Sequence, residues 1–512
     1  MKGDSRIQKS LLNAKVNTIC FFASLIISFF SRKIFLDHLG TAFMGLSSTL
    51  GSLLGFLNIA ELGIGAAIGC VLYKPIANTD ENKIKDIVSV LGYLYRWIGH
   101  VILILGFLLS LALPFIFEGE SFSLCVIYIG FYAYLFSSLI GYYNNYRQVL
   151  LSADQRNYEV TGYYQIIISV ITLMQMILAL YTGNFYVYFL LQLIGGIVYS
   201  FVLNYRINKV YPWLKTDIKR GNILLKQYPE ISKMIKQIFV HRIAGFVQFE
   251  LSPFLIYSFV SLPMVAIYSN YSIITEKLSK FVQAVLDSTT AGVGNLISEG
   301  NSEKVWDIYK QLFSVRLFVT GLFCSCFFYL VNGFVNLWVG DMYVLSNSTV
   351  LLMTISLFLL LTRGTTDQFL NGYGMYSDIW APIAEAIIFL VFSIVFGYYY
   401  GLNGILLGPI ISMFIIVHMW KPFFLFRNGL KRSVMHYVKL LLHYMVLILL
   451  CYWACLKILS FAEFGCNAWI QWLIVSIVFA VVYTFVLFVL FYFTSQCFRI
   501  VVNTNLRLIL KR

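Results

Sequence analysis

The 512-residue chain is 60% apolar and only 12% charged, with a formal net charge of +14. Soluble domains carry about 25% charged residues, and apolar runs long enough to span a membrane recur here from end to end, which leaves no room for a soluble domain. The excess Lys and Arg sit between the apolar runs rather than on a compact basic face, so nucleic acid is not expected as a partner.

The first residues are polar and hold Lys2, Arg6, Lys9 and Lys15. The apolar segment after them has no small-residue cleavage pattern and is followed by further spans, so no cleavable signal peptide is expected. In chain order, six spans are predicted at approximately 16–36, 42–72, 90–117, 122–150, 160–182 and 185–207. A connector over about 208–236 follows, reading YPWLKTDIKRGNILLKQYPEISKMIKQ from Tyr211 onward. Its mixture of apolar and basic residues suits a segment lying on anionic lipid headgroups. Six more spans are predicted at 237–260, 263–296, 311–339, 346–371, 379–400 and 402–426, and two further ones at 437–460 and 468–496.

The predicted fold class is therefore an all-α polytopic membrane protein of about fourteen helices. Its domains are an N-terminal lobe (1–207), the connector (208–236), a C-terminal lobe (237–426) and a two-helix addition with a tail (427–512). Orientation follows from the short loops. Lys74, Lys83, Lys85, Arg147, Arg156, the connector, Lys304 and Lys310 share one side with both termini. The opposite loops carry little beyond Glu118, Glu120, Asp341, Lys457 and Glu463. Basic loops face the cytoplasm, so both termini are expected there.

Two stretches about 220 residues apart resemble each other. ENKIKDI (81–87) matches SEKVWDI (302–308), and each follows a glycine-punctuated span, AELGIGAAIG in one case and TTAGVGNLISEG in the other. The repeat unit then holds six spans, an even number, which relates the two copies by a pseudo-two-fold axis along the membrane normal. A substrate site between such repeats would lie near the midplane.

The eighth span carries the most informative pattern. At 100° per residue, Ser269, Ser272, Glu276, Lys280, Gln283, Asp287 and Thr290 fall in one stripe, with Lys277 off it. An ionised residue at mid-membrane costs at least a few kcal/mol unless it faces protein or water. The stripe is read either as the lining of an aqueous cavity or as a structural polar seam in which Glu276 and Lys280 neutralise each other. The matching second span offers Asn58 and Glu61 on one face. Further intramembrane charges are His241, Arg242, Glu250, Arg316, Arg363, Asp367 and Glu385, with Arg363 and Asp367 at ion-pair spacing. Arg32 and Lys33 fit either snorkelling to the interface or a cationic exit route. The nine cysteines are scattered, which argues against a disulfide framework. Cys324 and Cys326 read as packing residues, and no metal or other cofactor is expected.

The segments SRKIFLDHLGTAFMGLSS (31–48), NIAELGIGAAI (58–68) and VLLSADQRNY (149–158) resemble the polysaccharide transporter family of the multidrug, oligosaccharidyl-lipid and polysaccharide flippase superfamily. The resemblance implies a bacterial inner-membrane flippase working by alternating access. Its substrates would be undecaprenyl-pyrophosphate-linked repeat units for O-antigen, capsule or exopolysaccharide. It also implies a polymerase partner and coupling to a proton or sodium ion, or to none. On that reading Lys280, Lys277 and Arg242 attract the pyrophosphate. Asn58, Glu61, Gln283, Asp287 and Glu276 are the polar groups for sugar hydroxyls or a coupling proton. The alternative is a cation-coupled multidrug exporter of the same superfamily, which an acidic cavity would suit better than one holding Lys280 and Arg242. An enzyme is disfavoured, because the outer loops are short and poor in charge.

Overall fold

The computed structural model describes residues 6–61, 63–375, 378–459 and 468–510. The described residues are helical, with no strand among them. By length and composition alone, ten of their helices can cross a membrane, and the last of the repeat spans is fused to its predecessor in the stretch Trp380–Leu430. The chain divides by packing into two compact units, Met1–Ala266 and Ile267–Arg512.

The first unit opens with α1 (Arg6–Leu39), α2 (Thr41–Leu57) and α3 (Ile64–Ala77). After them come α4 (Glu81–Ile116), α5 (Leu124–Asn144), the short α6 (Gln148–Ala153), α7 (Asn157–Thr182) and α8 (Phe185–Val210). Helix α1 packs on α7, α7 on α8, α8 on α5, and α5 on both α4 and α2. The connector forms a short α9 (Gly221–Gln227) against α4, with Leu214, Gly221 and Leu224 turned inward and Lys215, Lys219 and Arg220 outward. Helix α10 (Pro229–Phe259) then runs back against α2 and α3. That seam needs small residues. Ser52 donates to the Glu250 carbonyl oxygen, and Gly55 leaves space for the Glu250 carboxylate. Between membrane helices, where lipid is as apolar as leucine, close approach of this kind supplies the packing energy.

The second unit holds most of α11 (Leu262–Leu286), then α12 (Thr290–Ser298), α13 (Ser302–Val339), α14 (Asn347–Thr362) and α15 (Gly364–Gly372). It continues with α16 (Trp380–Ser412), a π-helical stretch (Met413–Trp420), α17 (Lys421–Leu425), α18 (Met435–Leu459), α19 (Trp469–Thr494) and α20 (Gln496–Leu510). Gly401 breaks α16 with a left-handed φ of 56°, at the predicted boundary between the eleventh and twelfth spans. Helix α13 is the hub, touching α14, α15, α18, α19 and α20. Its Trp306, Tyr309 and Phe313 stack at helical spacing and meet Phe426, Tyr437 and Tyr444 from neighbouring helices.

The repeat is visible in the helix boundaries. Thr41 and Leu262, Ala77 and Ser298, and Glu81 and Ser302 begin or end corresponding helices, each pair 221 positions apart. The same spacing relates the caps: Asp80 accepts from the Lys83 amide at 3.0 Å, and Asn301 from the Lys304 amide at 3.1 Å. A carboxylate or amide oxygen at this position satisfies one amide that the helix start leaves free.

Several charges have local explanations. Arg32 is buried and donates to the Ala266 carbonyl at 2.7 Å, so it does not snorkel, whereas exposed Lys33 pairs with Asp37. The phrase LLSADQRNY forms the turn between α6 and α7, with Gln155 left-handed at φ 61°. There Arg156 bridges Asp154 and Glu159, Arg206 forks onto Glu159, and the Tyr211 hydroxyl donates to Asp154. Burial, reinforced by the Asp154 carboxylate, pushes the Tyr211 phenol above its ordinary range and keeps it a donor.

Candidate functional site

Each unit holds a polar cluster where a long helix breaks. In the first, α2 ends at Leu57, a 3-10 turn covers Asn58–Glu61, and α3 restarts after Gly63, whose φ of 93° suits glycine. The break turns Asn58 and Glu61 toward α4 and α5. Tyr95 donates to Glu61 Oε1 at 2.6 Å, and Tyr142 lies 3.0 Å from Oε2 and 3.1 Å from Asn58 Oδ1. Ser138 donates to the same asparagine oxygen at 2.9 Å. Tyr142 has one proton for two acceptors, so it can serve Glu61 or Asn58 but not both at once. Among the described residues, no cationic side chain lies within ion-pair distance of Glu61. Glu61 is thus held across the break by tyrosine hydroxyls of α4 and α5.

In the second unit, α11 ends at Leu286 and a 3-10 turn covers Asp287–Thr289 before α12. This break falls eight residues later than the repeat spacing would place it: Ser279, not Asp287, is 221 positions beyond Asn58. The turn brings Asp287 Oδ1 to 2.6 Å from Arg316 of α13. The Arg316 guanidinium, only 2% exposed, also donates to Thr365 Oγ1 at 2.9 Å and to the Leu361 carbonyl at 3.1 Å. Gln368 holds the turn from the other side through the Leu286 carbonyl and Asp287. Beside this pair, Arg363 and Lys421 grip the two oxygens of Asp367 at 2.7 and 3.0 Å, and Arg363 approaches Glu385 at 3.9 Å.

These groups border a cavity of about 270 Å³, whose lining includes Gln283, Asp287, Thr290, Arg316, Arg363 and Asn371. In its lining Arg316 and Arg363 balance Asp287 and Asp367. Its wall therefore offers fixed guanidinium and amide donors with no net negative charge, a lining suited to phosphate oxygens and sugar hydroxyls.

The sequence-predicted residues distribute as follows. Gln283 and Asp287 line the cavity. Glu276 and Lys280 pair with each other on an exposed face of α11, the neutralisation that their spacing allows, and Lys277 is half-buried. Asn58 and Glu61 belong to the first unit's cluster. The side chain of Arg242 lies outside the described residues. Arg316, Thr365 and Lys421 were not assigned a site role by the sequence. Only the Arg363–Asp367 spacing pointed toward them. Among the described residues, no three His, Cys, Asp or Glu side chains gather as a metal-binding group.

No family model matches the sequence, and no curated protein matches it. Solved structures do match. The lipid II flippase MurJ in its inward closed conformation superposes with a TM-score of 0.61 at 14% identity, over 94% of this chain and 99% of that one. An inward-facing multidrug resistance MATE family transporter of the MOP superfamily gives 0.60 at 15% identity, over 82% and 99%. A MATE structure in the bent conformation gives 0.52 at 14% identity, over 84% and 96%. The chain therefore has the fold of these membrane transporters.

Proposed function

We propose that the chain is a lipid-linked oligosaccharide flippase of the bacterial inner membrane. It would carry undecaprenyl-pyrophosphate-linked repeat units from the inner to the outer leaflet by alternating access, for O-antigen, capsule or exopolysaccharide synthesis. The observation that carries the reading is the cavity beside Arg316 and Arg363, which presents guanidinium and amide donors without net negative charge. A pyrophosphate would be drawn by these arginines together with Lys277, Lys280 and Arg242. Gln283, Asp287 and Asn371 would meet sugar hydroxyls, and the lipid tail would stay in the bilayer. The fold likeness adds support: the flippase MurJ matches 94% of the chain, against 82% for the MATE transporter. A membrane potential negative inside favours outward movement of an anion by about 2.3 kcal/mol per charge per 100 mV.

The direct test is leaflet accessibility in reconstituted vesicles, with undecaprenyl-pyrophosphate carrying the host's own repeat unit. Wild type is expected to expose the lipid to the far leaflet, and Lys280→Ala to slow it. Equal transport by both proteins would keep the flippase and reduce Lys280 to structure. Efflux of a cationic dye by well-folded protein that moves no lipid would favour the exporter.

That second reading draws on Glu61, an acid whose side-chain partners among the described residues are Tyr95 and Tyr142. Glutamine at this position can still accept from Tyr95, while Tyr142 turns its proton to Asn58, so Glu61→Gln is expected to fold with a nearly unchanged melting temperature. Transport by this variant is expected to lose its response to an imposed pH gradient. A wild-type response would make Glu61 a purely structural acceptor.

A further inference from the structure

Helix α5 rests one face on α2 and is flanked by α4 and α8. Its opposite face is left open as the floor of a trough of about 690 Å³, within the range of pockets that hold small ligands. One end of the trough is basic. Arg147, at the end of α5, donates through its two terminal nitrogens to Asn208 Oδ1 and Asn204 Oδ1, both at 2.8 Å. Asn204 is itself fixed, donating to Asn145 Oδ1 at 3.0 Å and to the Ser200 carbonyl. Arg96 of α4 faces the same space. Among the described residues, no carboxylate pairs with either arginine, and none lines the trough.

This differs from the two arginine clusters already described. Arg156 and Arg206 are matched by Asp154 and Glu159, and Arg316 and Arg363 by Asp287, Asp367 and Glu385. Arg147 is instead oriented by neutral amides, which hold a guanidinium in place without cancelling its charge. The rest of the trough is apolar, with Ile140, Ile197 and Phe201 on its walls. Trp97 and Phe107 of α4 and Phe136 of α5 are also exposed. A charged end joined to an apolar slope is complementary to an amphiphile rather than to a soluble anion. The basic end lies on the side that the basic loops assign to the cytoplasm, where bilayers present anionic headgroups.

We propose that this trough binds an anionic phospholipid of the inner leaflet. Its phosphodiester would sit between Arg96 and Arg147, with an acyl chain over Ile140, Ile197 and Phe201. Arginine suits the role because its planar fork meets two phosphate oxygens at once. The site would be separate from the transport cavity, and its test does not depend on what the protein transports.

The experiment is native mass spectrometry of the detergent-purified full chain titrated with phosphatidylglycerol or phosphatidylcholine, with thermal unfolding followed in parallel. Wild type is expected to retain phosphatidylglycerol preferentially and to melt higher in its presence. Arg96→Gln, on an exposed side chain with no ion pair to lose, is expected to weaken that retention about ten-fold, and Arg96→Gln with Arg147→Gln to abolish the preference. Ile197→Trp, which fills the slope and leaves both arginines in place, is expected to weaken retention as well. Equal retention of the two lipids by wild type would overturn the proposal. So would unchanged retention in the arginine variants, or equal occupancy by water-soluble glycerol phosphate. Displacement by undecaprenyl phosphate at matched concentration would also overturn it, by assigning the trough to the substrate path.

Discussion

Gly364→Ala is expected to lower transport at least ten-fold and to lower the melting temperature, although the glycine makes no polar side-chain contact of its own. A Cβ at this position would overlap the Arg316 guanidinium. Arg316 is buried on the central helix of its unit, and the open space beside it is the cavity it lines, so the guanidinium must shift toward that cavity and give up its present geometry with Asp287, Thr365 and the Leu361 carbonyl. Removing one partner of a buried ion pair costs about 3–5 kcal/mol. Asp287 is 44% exposed and recovers part of its hydration, which reduces the expected loss to about 2–3 kcal/mol. Arg316→Met should give the same phenotype by direct deletion. Gly292→Ala is the control: an added Cβ there meets nothing within 4 Å, and alanine gains about 0.5–1 kcal/mol of helix propensity. Thermal unfolding in detergent and the vesicle assay together check the set. Wild-type transport by Gly364→Ala would show that the guanidinium position is immaterial to the cavity.

Gly45→Val is expected to be more damaging still, reducing the yield of monodisperse folded protein to a small fraction of wild type. A Cβ on Gly45 would run into the Leu262 carbonyl, which belongs to the backbone at the start of α11. Overpacking against mobile side chains costs about 1–3 kcal/mol. Here the obstacle cannot rotate away, so α2 itself must shift and disturb the Ser52–Glu250 seam two turns along the same face. Gly51→Val provides the contrast on the same helix, because nothing lies within 4 Å of its added Cβ. Size-exclusion profiles and melting curves of the two variants should diverge. Similar behaviour would mean that α2 tolerates displacement at its N-terminal end.

The architecture was largely legible in the sequence because hydropathy, turn residues and caps are local signals. ENKIKDI and SEKVWDI disclosed the repeat, and the structure shows why they persist: each begins a long helix directly after a capping Asp80 or Asn301. The candidate site was legible only in part. Asn58 and Glu61 stood out as polar residues in an apolar run, and the Arg363–Asp367 pair followed from helical spacing. The Asp287–Arg316 contact did not, because it joins two helices at a place set by the 3-10 break after Leu286. A continuous helix through 263–296 keeps Asp287 in phase with Lys280, whereas the break gives it to Arg316 and leaves Lys280 with Glu276. Lys421 reaches Asp367 from a segment 54 positions away, a relation that no local pattern encodes.

The docking of α10 on α2 and α3 has a consequence for biogenesis. By repeat count α10 opens the second half of the chain, yet it packs with the first. A nascent chain that has delivered only its first six spans to the membrane therefore still exposes Gly45, Ser52 and Gly55, the surface that α10 and the turn after it will cover. The first unit cannot mature when its own repeat has been translated. It must wait until the ribosome has passed residue 266, so the two halves, though similar in plan, cannot be assembled as interchangeable pieces.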